Sequence, residues 1–164
     1  MSKRVLVLST SLRPNSNSDL LARQFAQGAQ EAGHQVELVS LRDKELHFCR
    51  GCLACLKQSR CVIQDDANAI VEKMGAADVI CFATPVYYYE MSGQMKTLLD
   101  RANSLYAADY AFRDIYLLTA SAEEEDSASD GPVNSLRGGI ACFGKARLAG
   151  VVRAKPSLLS FAFC

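Results

Sequence analysis

Three short stretches of this chain carry side chains that could do chemistry. Cys49, Cys52, Cys55 and Cys61 place four thiols within thirteen residues, in the pattern Cys-x2-Cys-x2-Cys-x5-Cys. By count, four thiolates suit an iron–sulfur cluster or a zinc ion equally well. Metal-free thiols packed at an interface are the third reading. The second stretch, Ser9-Thr10-Ser11-Leu12-Arg13-Pro14-Asn15-Ser16-Asn17-Ser18, is a polar loop that leads into a helix. A helix N-terminus attracts phosphate through its unpaired N–H groups and its dipole. Ser11, Ser16, Asn17 and Ser18 offer further donors, and Arg13 a charge-assisted one. Neither G-x-G-x-x-G nor G-K-[ST] is present, so this is not a known nucleotide fingerprint. The competing reading is a capped helix behind a polar turn. The third stretch, residues 84–93, holds the consecutive tyrosines Tyr87, Tyr88 and Tyr89. They suit either a flat, partly apolar ring ligand or packing against a second subunit.

Apolar runs alternate with segments of helical period, as in βαβ units built round a parallel sheet. Arg4-Val5-Leu6-Val7-Leu8 reads as a strand covered on both faces. Leu21, Phe25, Ala29 and Ala32 recur at helical spacing, and Gly33 closes that helix. Residues 36–41 make a second strand. Asp65 or Asp66 caps a helix whose buried stripe is Ala67, Ile70, Val71 and Met74. Residues 78–83 form a third strand, and Met91, Met95, Leu98, Leu99, Ala102 and Leu105 the core face of a third helix. A fourth strand over 115–119, a weaker helix over 132–143 and a fifth strand over 148–152 complete the pattern. The expectation is one α/β domain over residues 1–164, a doubly wound parallel sheet in three layers. Its ligand crevice lies beyond the C-terminal ends of the strands, at residues 9–18, 84–93 and 119–131.

These pieces resemble the NADPH-dependent FMN reductases and related iron–sulfur flavoproteins of the flavodoxin-like fold. The resemblance is carried by Thr10-Ser11-Leu12-Arg13-x-x-Ser16-Asn17-Ser18, Cys49-x-Gly51-Cys52-x-x-Cys55, Cys61-Val62-Ile63-Gln64-Asp65-Asp66, Thr84-Pro85-Val86-Tyr87-Tyr88 and Lys96-Thr97-Leu98-Leu99-Asp100-Arg101. It implies strand order 2-1-3-4-5. It implies an FMN phosphate held by Ser11, Arg13, Ser16, Asn17 and Ser18. The flavin ring would lie on Pro85, Val86, Tyr87 and Tyr88, with Thr119, Ala120 and Ser121 completing the site. It further implies NAD(P)H as co-substrate, a quinone, flavin or other small-molecule acceptor, and a homodimer or homotetramer. In the iron–sulfur branch the four cysteines hold a [4Fe–4S] cluster, and the alternative function is an electron carrier reduced by a ferredoxin-like partner. No acid–base residue is assigned, because the cofactor does the redox chemistry. Such proteins run on into a final helix, whereas only eight residues follow Pro156 here, so that helix is expected to be short or missing.

Lys+Arg and Asp+Glu number 18 each, which leaves no electrostatic footprint for nucleic acid or an anionic membrane. No apolar stretch approaches the roughly 20 residues that span a bilayer, and no signal-peptide core follows Met1. A cytoplasmic protein with reduced thiols is expected. Cys81 reads as a small core residue. Glu123-Glu124-Glu125-Asp126 reads as solvated loop, which argues against a second phosphate there. His34 and His47 read as surface residues, and Lys96, Asp100 and Arg101 as surface or interface salt bridges, Lys96 with Asp100 one turn apart.

Overall fold

The computed structural model describes residues 1–156, and its strands form where the apolar runs stand. In chain order these are β1 (Arg4–Ser9), α1 (Asn17–Glu31), β2 (Gln35–Ser40), the short α2 (Ala54–Gln58), α3 (Asp66–Ala76) and β3 (Val79–Tyr87). Then come the two-residue β4 (Glu90–Met91), α4 (Gly93–Arg101), a 3-10 turn (Ala102–Ala107) and β5 (Asp114–Ala120). A second 3-10 turn (Asp126–Ser129), α5 (Asp130–Ile140) and β6 (Arg147–Ala154) follow. The main sheet is parallel with order β2-β1-β3-β5-β6, and β4 folds back antiparallel on β3. This is the expected five-stranded, flavodoxin-like order, with β4 as an addition. The expectation of a short or missing final helix falls on residues 157–164, outside the described residues.

Successive strand residues face opposite sides, and here both sides are buried. Leu6, Leu8, Ile80, Phe82, Ile115 and Leu117 belong to the core under α3, α4 and α5, whereas Val5, Val7, Cys81 and Leu118 belong to the core under α1. Helix α1 buries Ala22 and Ala26 fully, while Leu21, Phe25 and Ala29 are only partly covered. Small residues on the contact line let that helix lie close to the sheet. Its end is set by Gly33 at φ +84°, where a side chain is disfavoured. Gly33 N donates to the Gln30 carbonyl and His34 N to the Ala29 carbonyl, a Schellman closure.

Three expectations are corrected. Strand β3 does not stop at Ala83 but continues through Thr84, Pro85 and Val86 to Tyr87. Met91 lies in β4 rather than in a helix. Helix α4 starts only after Ser92, whose hydroxyl accepts from the Met95 N–H at 3.3 Å. The third correction concerns Arg101, expected in a salt bridge at the surface or at an interface. It is the largest fully buried side chain of the described residues, and it pairs with Asp65, which is also wholly buried.

A guanidinium has five N–H donors in a fixed fork, and all five of Arg101 are used. Nη1 donates to Asp65 Oδ2 at 2.6 Å and to the His47 carbonyl at 2.8 Å. Nη2 donates to Asp65 Oδ1 at 2.9 Å and to the Ile63 carbonyl at 3.0 Å. Nε donates to Cys61 Sγ at 3.2 Å. Asp65 is equally engaged: as the N-cap of α3 it accepts from Ala67 N at 3.0 Å, and it also accepts from His47 N at 2.8 Å. Burial pushes the Asp65 carboxyl up, but the Arg101 and backbone N–H donors outweigh it and hold it below its usual range. Burial likewise opposes the charge on Arg101, and the hydrogen bonds it donates to Asp65 and Cys61 overcome it.

Breaking a buried pair by removing one partner costs about 3–5 kcal/mol, because the other charge stays buried. Asp65→Asn should therefore lower stability to urea by that order. The pH dependence has a definite sign. A carboxyl depressed in the folded state contributes fully above its unfolded value of about 3.9, and the contribution is lost as pH falls through the folded value. The wild-type chain should lose stability progressively below about pH 4 in a way that Asp65→Asn does not. Parallel acid profiles for the two would reject this role for the pair.

Candidate functional site

The strands β1, β3 and β5 are neighbours in a parallel sheet, so their C-terminal loops emerge side by side at one edge. The first loop brings together the residues expected to meet a phosphate. Ser16 caps α1, its hydroxyl accepting from the Asp19 N–H at 3.3 Å and lying 3.3 Å from the Ser18 hydroxyl. Ser11, Ser16 and Ser18 are buried, Asn17 is half-buried, and Arg13 reaches into solvent. The Ser11 hydroxyl accepts from the Arg13 N–H at 3.2 Å, and Asn15 turns the chain at φ +50°. Asp19 anchors the helix from beneath, with Ser9 Oγ donating to it at 2.8 Å and Arg23 Nε at 3.1 Å. The first turn of a helix leaves N–H groups without intrahelical partners, and here that of Asp19 is met by the Ser16 hydroxyl.

The second loop is the hairpin formed by β3 and β4. Tyr88 and Tyr89 occupy its two central positions with φ of 49° and 61°. Both angles are those of a type I′ turn, which ordinarily takes Asn and Gly. A bulky side chain there is strained, and neighbours hold the turn in place. A Cβ at Gly131 would overlap the Tyr89 carbonyl oxygen, so α5 starts hard against the turn. Glu90 Oε1 accepts from Ser135 Oγ at 2.6 Å. All three tyrosines are exposed, Tyr88 completely, while Pro85 and Val86 are half-buried.

The first two loops are locked together. Thr10 Oγ1 donates to the Ala83 carbonyl at 3.0 Å and meets Ser92 Oγ at 3.0 Å, while Ser92 N donates to Thr84 Oγ1 at 3.0 Å. The third loop is fixed differently. Thr119 Oγ1 meets Ser129 Oγ at 2.9 Å and donates to the Val152 carbonyl at 3.2 Å, so its hydroxyl is consumed within the fold. Ser121 N donates to the Ala154 carbonyl at 3.0 Å, and Ser121 Oγ accepts from Glu123 N at 2.9 Å. Ala120 is half-buried at the strand end. The acidic residues 123–126 are exposed, as expected.

The cysteines occupy the long connection between β2 and α3. Cys49, Cys52, Cys55 and Cys61 all line one small hollow of about 30 Å³, together with Arg101 and Asn103. Cys49 and Cys52 are exposed, Cys55 and Cys61 half-buried. Asn103 Nδ2 donates to Cys55 Sγ at 3.3 Å and Gly51 N to Cys49 Sγ at 3.4 Å. Among the described residues, no three His, Cys, Asp or Glu side chains form a metal-ready group. The segment is not wholly a loop, because α2 carries Cys55 between two left-handed residues, Leu53 and Ser59. Cys81, by contrast, is buried, and burial raises its thiol well above the ordinary value, so it stays neutral.

A second, larger cavity of about 790 Å³ opens between α4 and α5, floored by Ile80, Phe82 and Ile115 and reaching Cys49 and Asn103 at one end. Among the described residues, no helix is long and apolar enough to cross a membrane. Sequence reasoning missed Arg101, Asn103, Thr10, Ser92 and Gly131 as site-shaping residues. A signal existed for Arg101, which stands three residues beyond Leu98 on the stripe that buries α4. None existed for Gly131, whose role depends on where a distant hairpin lands.

The comparisons with known proteins agree with this geometry. An iron–sulfur flavoprotein of Methanocaldococcus jannaschii is 41% identical over 102 residues, 62% of this chain and 53% of that protein. One of Methanosarcina thermophila is 34% identical over 111 residues, 68% of this chain and 58% of that protein. The matches thus span about half the length of these relatives. Among solved structures, an azoreductase from Bacillus anthracis superposes with TM-score 0.73 at 18% identity, covering 96% of this chain and 88% of its own. A NAD(P)H:quinone oxidoreductase from Methanothermobacter marburgensis gives 0.70 at 19% identity, covering 94% and 86%. At that identity the likeness is one of fold. With the family model for NADPH-dependent FMN reductase matching residues 3–152, a span that contains all three loops, the chain belongs to that family.

Proposed function

We propose that this chain is an FMN-dependent oxidoreductase that takes electrons from NAD(P)H and delivers them to a small-molecule acceptor such as a quinone or a free flavin. The observation that carries this reading is the convergence of three loops on adjacent strand ends, one of them a helix N-terminus ringed by buried hydroxyls. These residues fit FMN. Ser11, Ser16, Asn17, Ser18 and the first-turn N–H groups of α1 would hold its phosphate, with Arg13 closing over it from the solvent side. The half-buried Pro85 and Val86, the exposed Tyr87 and Tyr88, and Ala120 with Ser121 would flank its ring, while Thr119 fixes the third loop. When bound, FMN supplies a ring that accepts hydride from the nicotinamide and gives up electrons to the acceptor. The chain's own contribution is to bind, orient and leave one ring face open beside the tyrosine turn.

The cysteine hollow supports a second centre in the same chain. Four sulfurs line one hollow, three of them facing N–H donors, and although their side chains are not gathered into a metal-ready group, their number and type suit a [4Fe–4S] cluster. In that case Cys49, Cys52, Cys55 and Cys61 would be its ligands, and the acceptor side would include a one-electron protein partner.

Purified chain loaded with FMN should oxidise NADPH or NADH when a quinone or ferricyanide is supplied. Bound flavin with no turnover on any of these would sink the enzymatic reading. A hydrogen bond to a charged group is worth about 1.5–3 kcal/mol. Arg13→Ala should therefore weaken FMN by about tenfold or more while leaving riboflavin, which lacks the phosphate, unchanged in a fluorescence titration. Equal loss for both would show that Arg13 does not meet the phosphate. The tyrosine turn gives an effect of opposite signs. Replacing Tyr88→Asn and Tyr89→Gly together should relieve about 1 kcal/mol or more of backbone strain and raise Tm. The same pair should lower flavin affinity or NAD(P)H turnover. A rise in Tm with neither loss would assign the tyrosines to some other task.

A further inference from the structure

Among the described residues, three N–H groups point at cysteine sulfurs, and two of them belong to side chains at and just beyond the end of α4. Arg101 Nε lies 3.2 Å from Cys61 Sγ, and Asn103 Nδ2 lies 3.3 Å from Cys55 Sγ. Sulfur is a weak acceptor, so a fully buried guanidinium has little reason to spend a donor on a neutral thiol. A thiolate ligand is a better acceptor. Arg101 also cannot follow a moving sulfur, because its other four donors are fixed by Asp65, His47 and Ile63. Its Nε is a preorganised donor, aimed before any cluster arrives. Asn103 stands two residues on, in the 3-10 turn that continues α4.

We propose that Arg101 and Asn103 are positioning residues that set the reduction potential of an iron–sulfur cluster held by Cys49, Cys52, Cys55 and Cys61, a statement that rests on the cluster reading given above. Reduction adds one electron to the cluster and neither makes nor breaks a bond. The electron comes from reduced flavin in turnover or from dithionite in a titration. The added charge spreads onto the sulfurs, so an N–H donor stabilises the reduced form more than the oxidised one and raises the potential. Because Asp65 cancels the charge of Arg101, the guanidinium acts here as a directed donor and not as a bare cation.

The test compares the wild-type chain with Asn103→Leu and Arg101→Lys. All three are reconstituted with iron and sulfide without oxygen and assayed for both elements. Each is then titrated with dithionite while the cluster is followed by EPR and the flavin by visible absorbance. Asn103→Leu leaves the Arg101–Asp65 pair untouched and keeps the test decisive if Arg101→Lys fails to fold. At a fixed potential its ratio of reduced to oxidised cluster should fall about tenfold, which is about 59 mV for one electron, with the flavin midpoint unchanged. Arg101→Lys, where it loads, should shift the same way. A cluster-loaded Asn103→Leu with the wild-type ratio overturns the proposal and leaves the cluster reading standing. A wild-type chain that takes up no iron or sulfide sinks both.

Discussion

The buried pair of Arg101 and Asp65 is the interaction on which the rest of the site depends. Taking two charges out of water costs several kcal/mol for each ion, so the pair is tolerable only because nothing on it is left unmet. Five donors of Arg101 and four acceptor positions of Asp65 all find partners. Those partners lie on three separate pieces of chain. Asp65 begins α3, Arg101 ends α4, and His47, Cys61 and Ile63 lie in the cysteine connection between β2 and α3. A long connection with one short helix has no core of its own. Here it is held as a third party to a contact between two helices. Lysine has three donors on a rotatable ammonium and could not tie all of these groups at once.

The opposite arrangement is found at the strand ends. There the fixed groups are neutral hydroxyls, Thr10, Thr84, Ser92, Thr119 and Ser129, each spent on a backbone or another hydroxyl. These hydroxyls lock the loops without adding charge of their own; the one carboxylate in the first turn of α1, Asp19, is buried and already engaged by Ser9 and Arg23. Exposed groups such as Arg13 and Tyr88 carry no such duty and are free for a ligand. Strain is concentrated in the same place. Two left-handed tyrosines cost free energy that an Asn-Gly turn would not, and the fold bears this because α5 at Gly131 and the Glu90–Ser135 contact hold the hairpin.

Much of this was legible in the sequence, and what was not has physical causes. Val5 to Leu8 and Val79 to Ala83 were readable as strands because a two-sided parallel sheet demands unbroken apolar runs. Gly33 was readable because only glycine enters a left-handed closure at no cost. The continuation of β3 to Tyr87 was not, since Thr84-Pro85 reads as a break. The ladder to β1 ends at Ala83, so Pro85, though still opposite Ala120 of β5, interrupts no pairing on that side. Ala22 and Ala26 were overlooked in favour of Leu21 and Phe25, because bulk signals burial in sequence whereas close approach selects small residues. Arg101 was misplaced for a related reason: charge suggests solvent, and only the partner thirty-six residues away makes its burial affordable. The three loops named in sequence do emerge at one sheet edge, but which hydroxyls remain free within them is a matter of tertiary hydrogen bonding.

The electrostatics of the two halves then fit one chemical division. In the proposed reading a phosphate would meet the α1 N-terminus and Arg13, with Asp19 of that turn paired to Arg23 and the acidic residues 123–126 out in solvent on another loop. Four thiolates round a cluster need the reverse, donors that do not bring so much charge that the reduced state becomes too stable to release its electron. A lone buried arginine would do that. Paired with Asp65 it offers a fixed N–H and no net charge, so under the proposed cluster reading the contact that anchors the cysteine segment would also limit how far Arg101 biases an electron there. On the proposed cluster reading, anchoring and tuning would not be separable properties of Arg101, because both would follow from one guanidinium whose other four donors are already taken.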